Sequence, residues 1–485
     1  MGFLSLKEIE KHNKKNDIWV IIHGKVYDLT NFLPEHPGGQ KIILKYAGKD
    51  ATNSFDPIHP PDIIQRLLPP DVFKGVVDPS ALTQVLKVET EEDKRIRIAR
   101  ENMPNLDEMY NSFDFEGMYM LYSLELYYLI RAYAAVAKSV LKAEAWSYFS
   151  SGSENEITLR ENHSAFHRIW FKPRVMVNVK YVDPSTTFLG THTAFPLYIS
   201  ATALGKMGHP EGEVVLARAS AKRNLIQMIS NYTSCSFDEI VNASTPNHTQ
   251  WIQIYINSNP RREKDMRQKY ILDAPEEIRS STTEVRRDQG ASQALSQFID
   301  ATFCWDDIAW IKSITKMPIV IKGVQASEDA ILAAKHGCQG IVISNHGGRQ
   351  LDFAPSAIEI LPEVTAALKR ERINEEFEVY IDGGIRRGSD IFKAIALGAK
   401  GVGIGRPSLY AMSSYGDAGV ERLLELLQNE FEMIMRLMGV TSIEQIKPEM
   451  VDTRNLKDHF ASIPKDYLAE SAYDPMQPRS HFSKL

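Results

Sequence analysis

Between Pro196 and Gly405 the chain repeats one pattern, and that pattern limits the folds open to it. Short apolar runs occur at Pro196 to Ala201, Ile226 to Ser230, Trp251 to Ile256, Pro318 to Lys322, Gly340 to Ser344, Val379 to Asp382 and Gly401 to Gly405. Helix-like runs stand between most of them, such as Ser327 to His336 and Gly388 to Leu397. Strands that are apolar throughout, alternating with helices, imply a parallel sheet covered by helices. The fold class is therefore α/β, a (β/α)8 TIM barrel. Seven runs are found where a closed barrel wants eight, so one βα unit is expected to be missing.

The fifth run ends in Ser344-Asn345-His346-Gly347-Gly348-Arg349-Gln350-Leu351-Asp352. A buried strand that releases a Gly-rich loop at its end is how such a barrel presents chemistry. His346 can accept a proton near neutral pH. Arg349, three residues on, can hold a carboxylate through two parallel hydrogen bonds. The pair suggests a base poised over the α-carbon of a small carboxylic acid. A histidine and an arginine alone could equally be a solvated turn; the neighbouring motifs decide for chemistry.

The N-terminal part reads differently. Trp19 to Leu29 forms two β-rich runs around His23-Gly24, a hairpin pattern. Then comes Phe32-Leu33-Pro34-Glu35-His36-Pro37-Gly38-Gly39, and later Phe55-Asp56-Pro57-Ile58-His59-Pro60. Pro37 restricts His36 to extended backbone, and the two glycines let the chain approach a flat ligand. Two histidines on opposing short loops can hold a haem iron from both faces, leaving no open position on the metal. Such an iron carries electrons and does not bind oxygen.

With 485 residues, two or three domains are expected. The formal net charge of -6 suggests neither a nucleic-acid partner nor an anionic membrane. Gly117 to Ile130 is too short, and too polar at Glu125, to span a membrane. Cys235, Cys304 and Cys338 are widely spaced and make no disulfide framework, zinc motif or covalent haem attachment. Met1 to Glu10 lacks the apolar core of a secretory signal. Ser483-Lys484-Leu485 matches a peroxisomal address. The segments read as a small haem-binding domain over 1–78, a charged linker with some helix over 79–111, a barrel over 112–465 and a tail over 466–485.

Over roughly Leu4 to Val77 the sequence resembles cytochrome b5, a small α+β domain. That resemblance makes His36 and His59 the axial ligands of a non-covalent b-type haem. The motifs SATAL, QMIS, IKGVQ, SNHGGRQLD, DGGIRRG and GIGRP make the barrel similar to the FMN-dependent L-2-hydroxy acid oxidising family. The two together resemble the haem-containing L-lactate dehydrogenases of the flavocytochrome b2 type. The resemblance implies His346 as the catalytic base and Arg349 on the substrate carboxylate. It implies Tyr148 and Tyr255 as hydrogen-bond partners of the substrate, and Arg262 as a second arginine near it. FMN would be contacted by Thr202, Ala203, Ser230 and Gln253, with Lys322 as the cation beside its ring. Asp382, Gly383, Gly384, Arg386, Gly405 and Arg406 match the loops that hold its phosphate. Tyr232 falls beside the substrate's R group. A small 2-hydroxy acid, a cytochrome c-like electron acceptor and a homotetrameric assembly follow as expectations.

The chain also departs from that pattern. Only Ser258-Asn259-Pro260-Arg261 separates Asn257 from Arg262, where family members carry a helix and the fourth strand. The absent piece is roughly thirty residues, one βα unit. It normally brings an aspartate that orients the histidine. Asp273 resembles the end of that strand but follows Arg262 instead of preceding it. Glu276 to Gln289 reads as a polar surface loop. Two alternatives stay open: an oxidase that uses oxygen in a peroxisome, and a haem electron carrier with an inactive barrel.

Overall fold

The computed structural model describes residues 3–36, 40–78, 91–106, 132–256, 299–374 and 376–459. Pro37-Gly38-Gly39, the segment Gly117 to Ile130, Arg262, Asp273, Glu276 to Gln289 and the tail with Ser483-Lys484-Leu485 lie outside them.

The N-terminal module builds one five-stranded sheet. It contains β1 (Phe3–Leu4), β2 (Asn13–Lys14), β3 (Asp17–Ile22), β4 (Lys25–Asp28) and β5 (Phe73–Val77). The expected hairpin is present: Ile22 pairs with Lys25 across His23 and Gly24, whose φ values are +51° and +71°. Two consecutive left-handed residues are what a tight turn between twisted strands requires. One face of the sheet buries Ile18, Val20, Ile22, Tyr27 and Leu29 against Leu33, Ile43 and Ala47. Alternate residues Ile21 and Val26 face the other way and join Ile9 and Val77 in a smaller core. A helix at Glu91–Glu101 lies within the charged segment that follows.

The second module carries a seven-stranded sheet with all neighbours parallel. Its strands are β6 (Leu197–Thr202), β7 (Ile226–Ile229), β8 (Gln250–Ile252), β9 (Val320–Val324), β10 (Gly340–Ile343), β11 (Glu378–Asp382) and β12 (Gly401–Ile404). The order is β8-β7-β6-β12-β11-β10-β9. The first strand therefore pairs with the last, as in a barrel that closes on itself. Among the described residues the wall stays open between β8 and β9, where the fourth strand of an eight-stranded barrel belongs. The third run is shorter than its sequence suggests. Expected to reach Ile256, it pairs only over Gln250 to Ile252, and among the described residues β8 has a strand neighbour on one side alone.

Strands β7, β10 and β12 are buried at every position. Their outward side chains meet the helices in one large core, while Phe188, Tyr198, Met228, Val342, Tyr380 and Trp251 fill the interior. A side chain on Gly401 would run into the Phe188 ring, so glycine there lets that ring plug the barrel. Helices α1 (Ala143–Ser150), α2 (Ile157–His167), α3 (Glu213–Lys222) and α4 (Arg406–Met438) bear directly on the site.

Candidate active site

The predicted side chains gather where the strands end. Lys322 stands on β9, Asp382 ends β11, and Ser344 follows β10. Lys322 Nζ lies 2.9 Å from Asp382 Oδ2 and donates to Ser344 Oγ at 2.9 Å. Ser344 donates in turn to Asp382 Oδ1 and accepts the backbone N–H of His346 at 3.0 Å. One buried serine thus joins the cation, the carboxylate and the loop that bears His346.

His346 sits in the left-handed region, with φ +56°. Its Nδ1 is 3.5 Å from the Tyr255 hydroxyl, and the Tyr255 ring stacks on that of Tyr232 with centroids 5.5 Å apart. Burial lowers the imidazole pKa to about 4, helped by the positive charges of Lys322, Arg349 and Arg406 and opposed by Asp382. A neutral imidazole at pH 7 is ready to accept a proton.

Arg349 is held rather than loose. Its Nη1 donates to the carbonyls of Tyr148 (2.6 Å) and Ser151 (3.1 Å), and its guanidinium lies 4.8 Å over the Tyr148 ring. Both carbonyls belong to the end of α1, where unpaired carbonyls suit a cation. Burial raises the hydroxyl pKa values of Tyr148 and Tyr255, so both keep the proton they can donate.

Around this centre the predicted cofactor residues fall into two groups. Ser230 donates to Gln253 Oε1 at 3.4 Å, after β7 and β8, beside Thr202 at the end of β6 and Ala203. Gly383 and Gly384 follow β11 with φ +93° and +84°, and Gly405 precedes α4. A side chain on Gly405 would meet only open space, a gap an anion could enter at a helix N-terminus. Arg406 is partly buried, and its nitrogens donate to the carbonyls of Phe149 (3.0 Å), Gly347 (2.8 Å) and Ser151 (2.6 Å). Burial lowers its pKa to about 10, and among the described residues no carboxylate forms an ion pair with it. A partly buried guanidinium with no carboxylate partner among the described residues fits an anionic group such as a cofactor phosphate. Arg386 stands in the loop after β11 with Gly383 and Gly384, its backbone N–H held by Asp390 at 3.0 Å.

In the N-terminal module the His36 and His59 rings face each other with centroids 6.1 Å apart. An iron bonded to one nitrogen of each at about 2 Å fits that spacing. His59 Nδ1 donates to the Phe55 carbonyl at 3.0 Å, which leaves the other ring nitrogen for a metal. His36 has the extended backbone expected before proline, φ −70° and ψ 122°.

Three contributors escaped the sequence reading. Ser344 opens the SNHGGRQLD motif, where a serine at a strand end gives no sign of the contacts it makes. Glu213, 1% exposed, accepts from the N–H groups of Gly205 and Ser234 and so fixes the loops after β6 and β7. Asn162, on α2, pairs with Asn345. Nothing in the sequence around Glu213 or Asn162 marks them.

The chain matches two family models: FMN-dependent dehydrogenase over residues 137–270 and 257–453, and the cytochrome b5-like heme/steroid binding domain over 5–78. L-lactate dehydrogenase (cytochrome) of Wickerhamomyces anomalus is 47% identical over 497 residues, covering 96% of this chain and 83% of that protein. The protein of the same name from Saccharomyces cerevisiae is 43% identical over 97% of this chain and 83% of its own length. Among solved structures, the flavin-binding domain of baker's yeast flavocytochrome b2 aligns with a TM-score of 0.65 and 42% identity, over 80% of this chain and 98% of that one. This chain belongs to the FMN-dependent dehydrogenase family, with a cytochrome b5-like haem domain in front of the barrel.

Proposed function

We propose that the protein oxidises an L-2-hydroxy acid, L-lactate to pyruvate, and passes the electrons through FMN and haem b to a cytochrome c-like acceptor. The observation that carries this reading is the grouping of neutral His346, anchored Arg349 and Lys322 at one end of the parallel sheet. FMN, when bound, supplies a two-electron acceptor that can be discharged singly, and the haem iron supplies the one-electron relay.

The residues of the chain do the rest. Lys322, Arg349 and Arg406 create a positive mouth that draws in a small anion. Among the described residues, Arg349 Nε and Nη2 make no hydrogen bond, so they remain for a substrate carboxylate while Nη1 holds the plane still. The Tyr148 and Tyr255 hydroxyls donate to substrate oxygens. His346 takes up a proton as the substrate loses two electrons. General-base help of this kind contributes about a hundred- to ten-thousandfold. Arg262, outside the described residues, supports the same reading by its place in the sequence.

Absorbance of the purified full chain before and after anaerobic L-lactate tests the proposal. Flavin bleaching followed by the bands of reduced haem is expected. A haem spectrum without flavin or turnover would select the electron carrier with an inactive barrel. Peroxide formation outrunning cytochrome c reduction would select the oxidase. A homotetramer is proposed from the family resemblance, and sedimentation tests it. The compartment is a separate proposal that rests on Ser483-Lys484-Leu485: a fluorescent fusion with these residues changed to alanine should lose a peroxisomal pattern.

A further inference from the structure

Helix α2 runs behind the mouth of the barrel, and Asn162 on it touches two functional loops at once. Asn162 and Asn345 exchange both side-chain hydrogen bonds: Nδ2 of Asn162 donates to Asn345 Oδ1 at 2.8 Å, and Nδ2 of Asn345 donates to Asn162 Oδ1 at 2.7 Å. Both residues are 1% exposed. Asn345 immediately precedes His346. Its amide also donates to the Pro355 carbonyl (3.0 Å) and accepts the Gly348 N–H (3.0 Å), so it sets the path of the loop on both sides of the base.

The other side of Asn162 meets the phosphate loop. A side chain on Gly384 would collide with the backbone carbonyl of Asn162, and one on Gly383 would touch the Asn162 side-chain amide itself. The two glycines therefore lie flat against Asn162. A second tie runs parallel, since Arg406 of the phosphate site donates to the carbonyl of Gly347 at 2.8 Å, next to His346. The far end of α2 is fixed as well: Asp352, 4% exposed, accepts the N–H groups of Asn155 (3.1 Å), Ile157 (3.3 Å) and Thr158 (2.8 Å). It caps the helix that the clamp pulls on.

We propose that the Asn162–Asn345 amide pair is a positioning device that couples the cofactor-phosphate loop to the loop bearing His346, so that a filled phosphate loop holds the base in its working orientation. The amide pair suits this role because a reciprocal bond accepts one geometry and rejects others, and burial leaves either partner costly to free. The inference rests on the function proposed above and adds residues that touch neither substrate nor cofactor.

The test compares the full chain carrying Asn162→Ala, Asn345→Ala or both with the unaltered protein, which must itself show flavin bleaching by L-lactate. Were the unaltered protein inert, the proposed function would fall before this one is reached. In the variants the rate of bleaching should drop by up to about a hundredfold, as expected for a base displaced by about 1 Å. The isotope effect with 2-deuterated lactate should rise, KM should change little, and retention of FMN on dilution should fall in the same variants. The double variant should be no worse than either single one. Asn162→Asp keeps the acceptor for Asn345 and should recover part of the rate; it also decides the matter if the alanine variants do not fold. Unchanged rate, isotope effect and FMN retention alongside a lowered melting temperature would overturn the proposal, since a purely structural amide predicts that result.

Discussion

Lys322 Nζ lies 2.9 Å from Asp382 Oδ2, and side-chain exposures of 21% and 8% place the pair largely out of water. Two opposite charges so placed hold each other in check, and Ser344 bonds to both. Breaking such a pair from one side leaves the other charge buried alone. Lys322→Met is therefore expected to destabilise the barrel by about 3 kcal/mol, the low end for a buried pair that keeps some exposure. Asp382→Asn should cost a similar amount, because Lys322 then loses its counter-charge. Lys322→Met with Asp382→Asn should recover part of the loss, because no orphaned charge remains. Denaturant unfolding of the four proteins checks the cycle; strictly additive losses would contradict a direct coupling.

His346 gives a pH dependence of defined sign. Its folded pKa is lowered from 6.5 to about 4 by burial and by neighbouring cations. Between those two values the unfolded chain binds the proton and the folded chain does not. Stability from this residue is therefore present above pH 6.5 and lost as pH falls toward about 4, amounting to about 3 kcal/mol. His346→Asn removes the titrating group, so the gap between the two proteins in melting temperature should change with pH across this window. The same lowered pKa predicts a kcat/KM for lactate that stays flat down to about pH 5 and falls near pH 4 as the base becomes protonated.

Much of this arrangement was legible in advance because strand and motif signals are local. Gly340 to Ile343 is apolar throughout since the strand is buried on both faces, and the polar residues begin where it ends. His346 and Arg349 could be placed because both stand in the loop after a strand terminus, which in a parallel barrel is one shared rim. Lys322, read as a strand's last residue, stands in the middle of β9, which runs on to Val324. Asn162 could not. An asparagine within a helix normally reads as a solvated position, and only the docking of α2 under two loops makes it a buried clamp. The early end of β8 was equally hidden, since Ile254 looks like strand but pairs with no strand among the described residues and is exposed.

The proposed haem ligands give a test that separates the two modules. His36 and His59 are spaced for a metal between them, and His59 is fixed in the required tautomer by Phe55. His59→Ala should abolish haem binding, seen as loss of the intense haem absorbance. The barrel keeps Lys322, His346 and Arg349, so flavin bleaching by lactate should stay within about threefold of the unaltered rate, while cytochrome c reduction falls by at least about tenfold. Loss of both activities together would mean that the haem module also supports the barrel.

Tyr232 bears on which acids can enter. Its ring stacks on Tyr255 with centroids 5.5 Å apart, and its backbone N–H is fixed by Ser230 Oγ at 3.2 Å. The ring therefore cannot swing aside without breaking a packed pair. Burial raises the pKa of its hydroxyl, which stays protonated and presents an uncharged wall. Tyr232→Ala removes that wall and leaves His346 and Arg349 in place. The ratio of kcat/KM for mandelate over lactate should rise by about tenfold to a hundredfold, the range that a reshaped apolar pocket provides. An unchanged ratio would place the substrate's R group against some other surface of the barrel mouth.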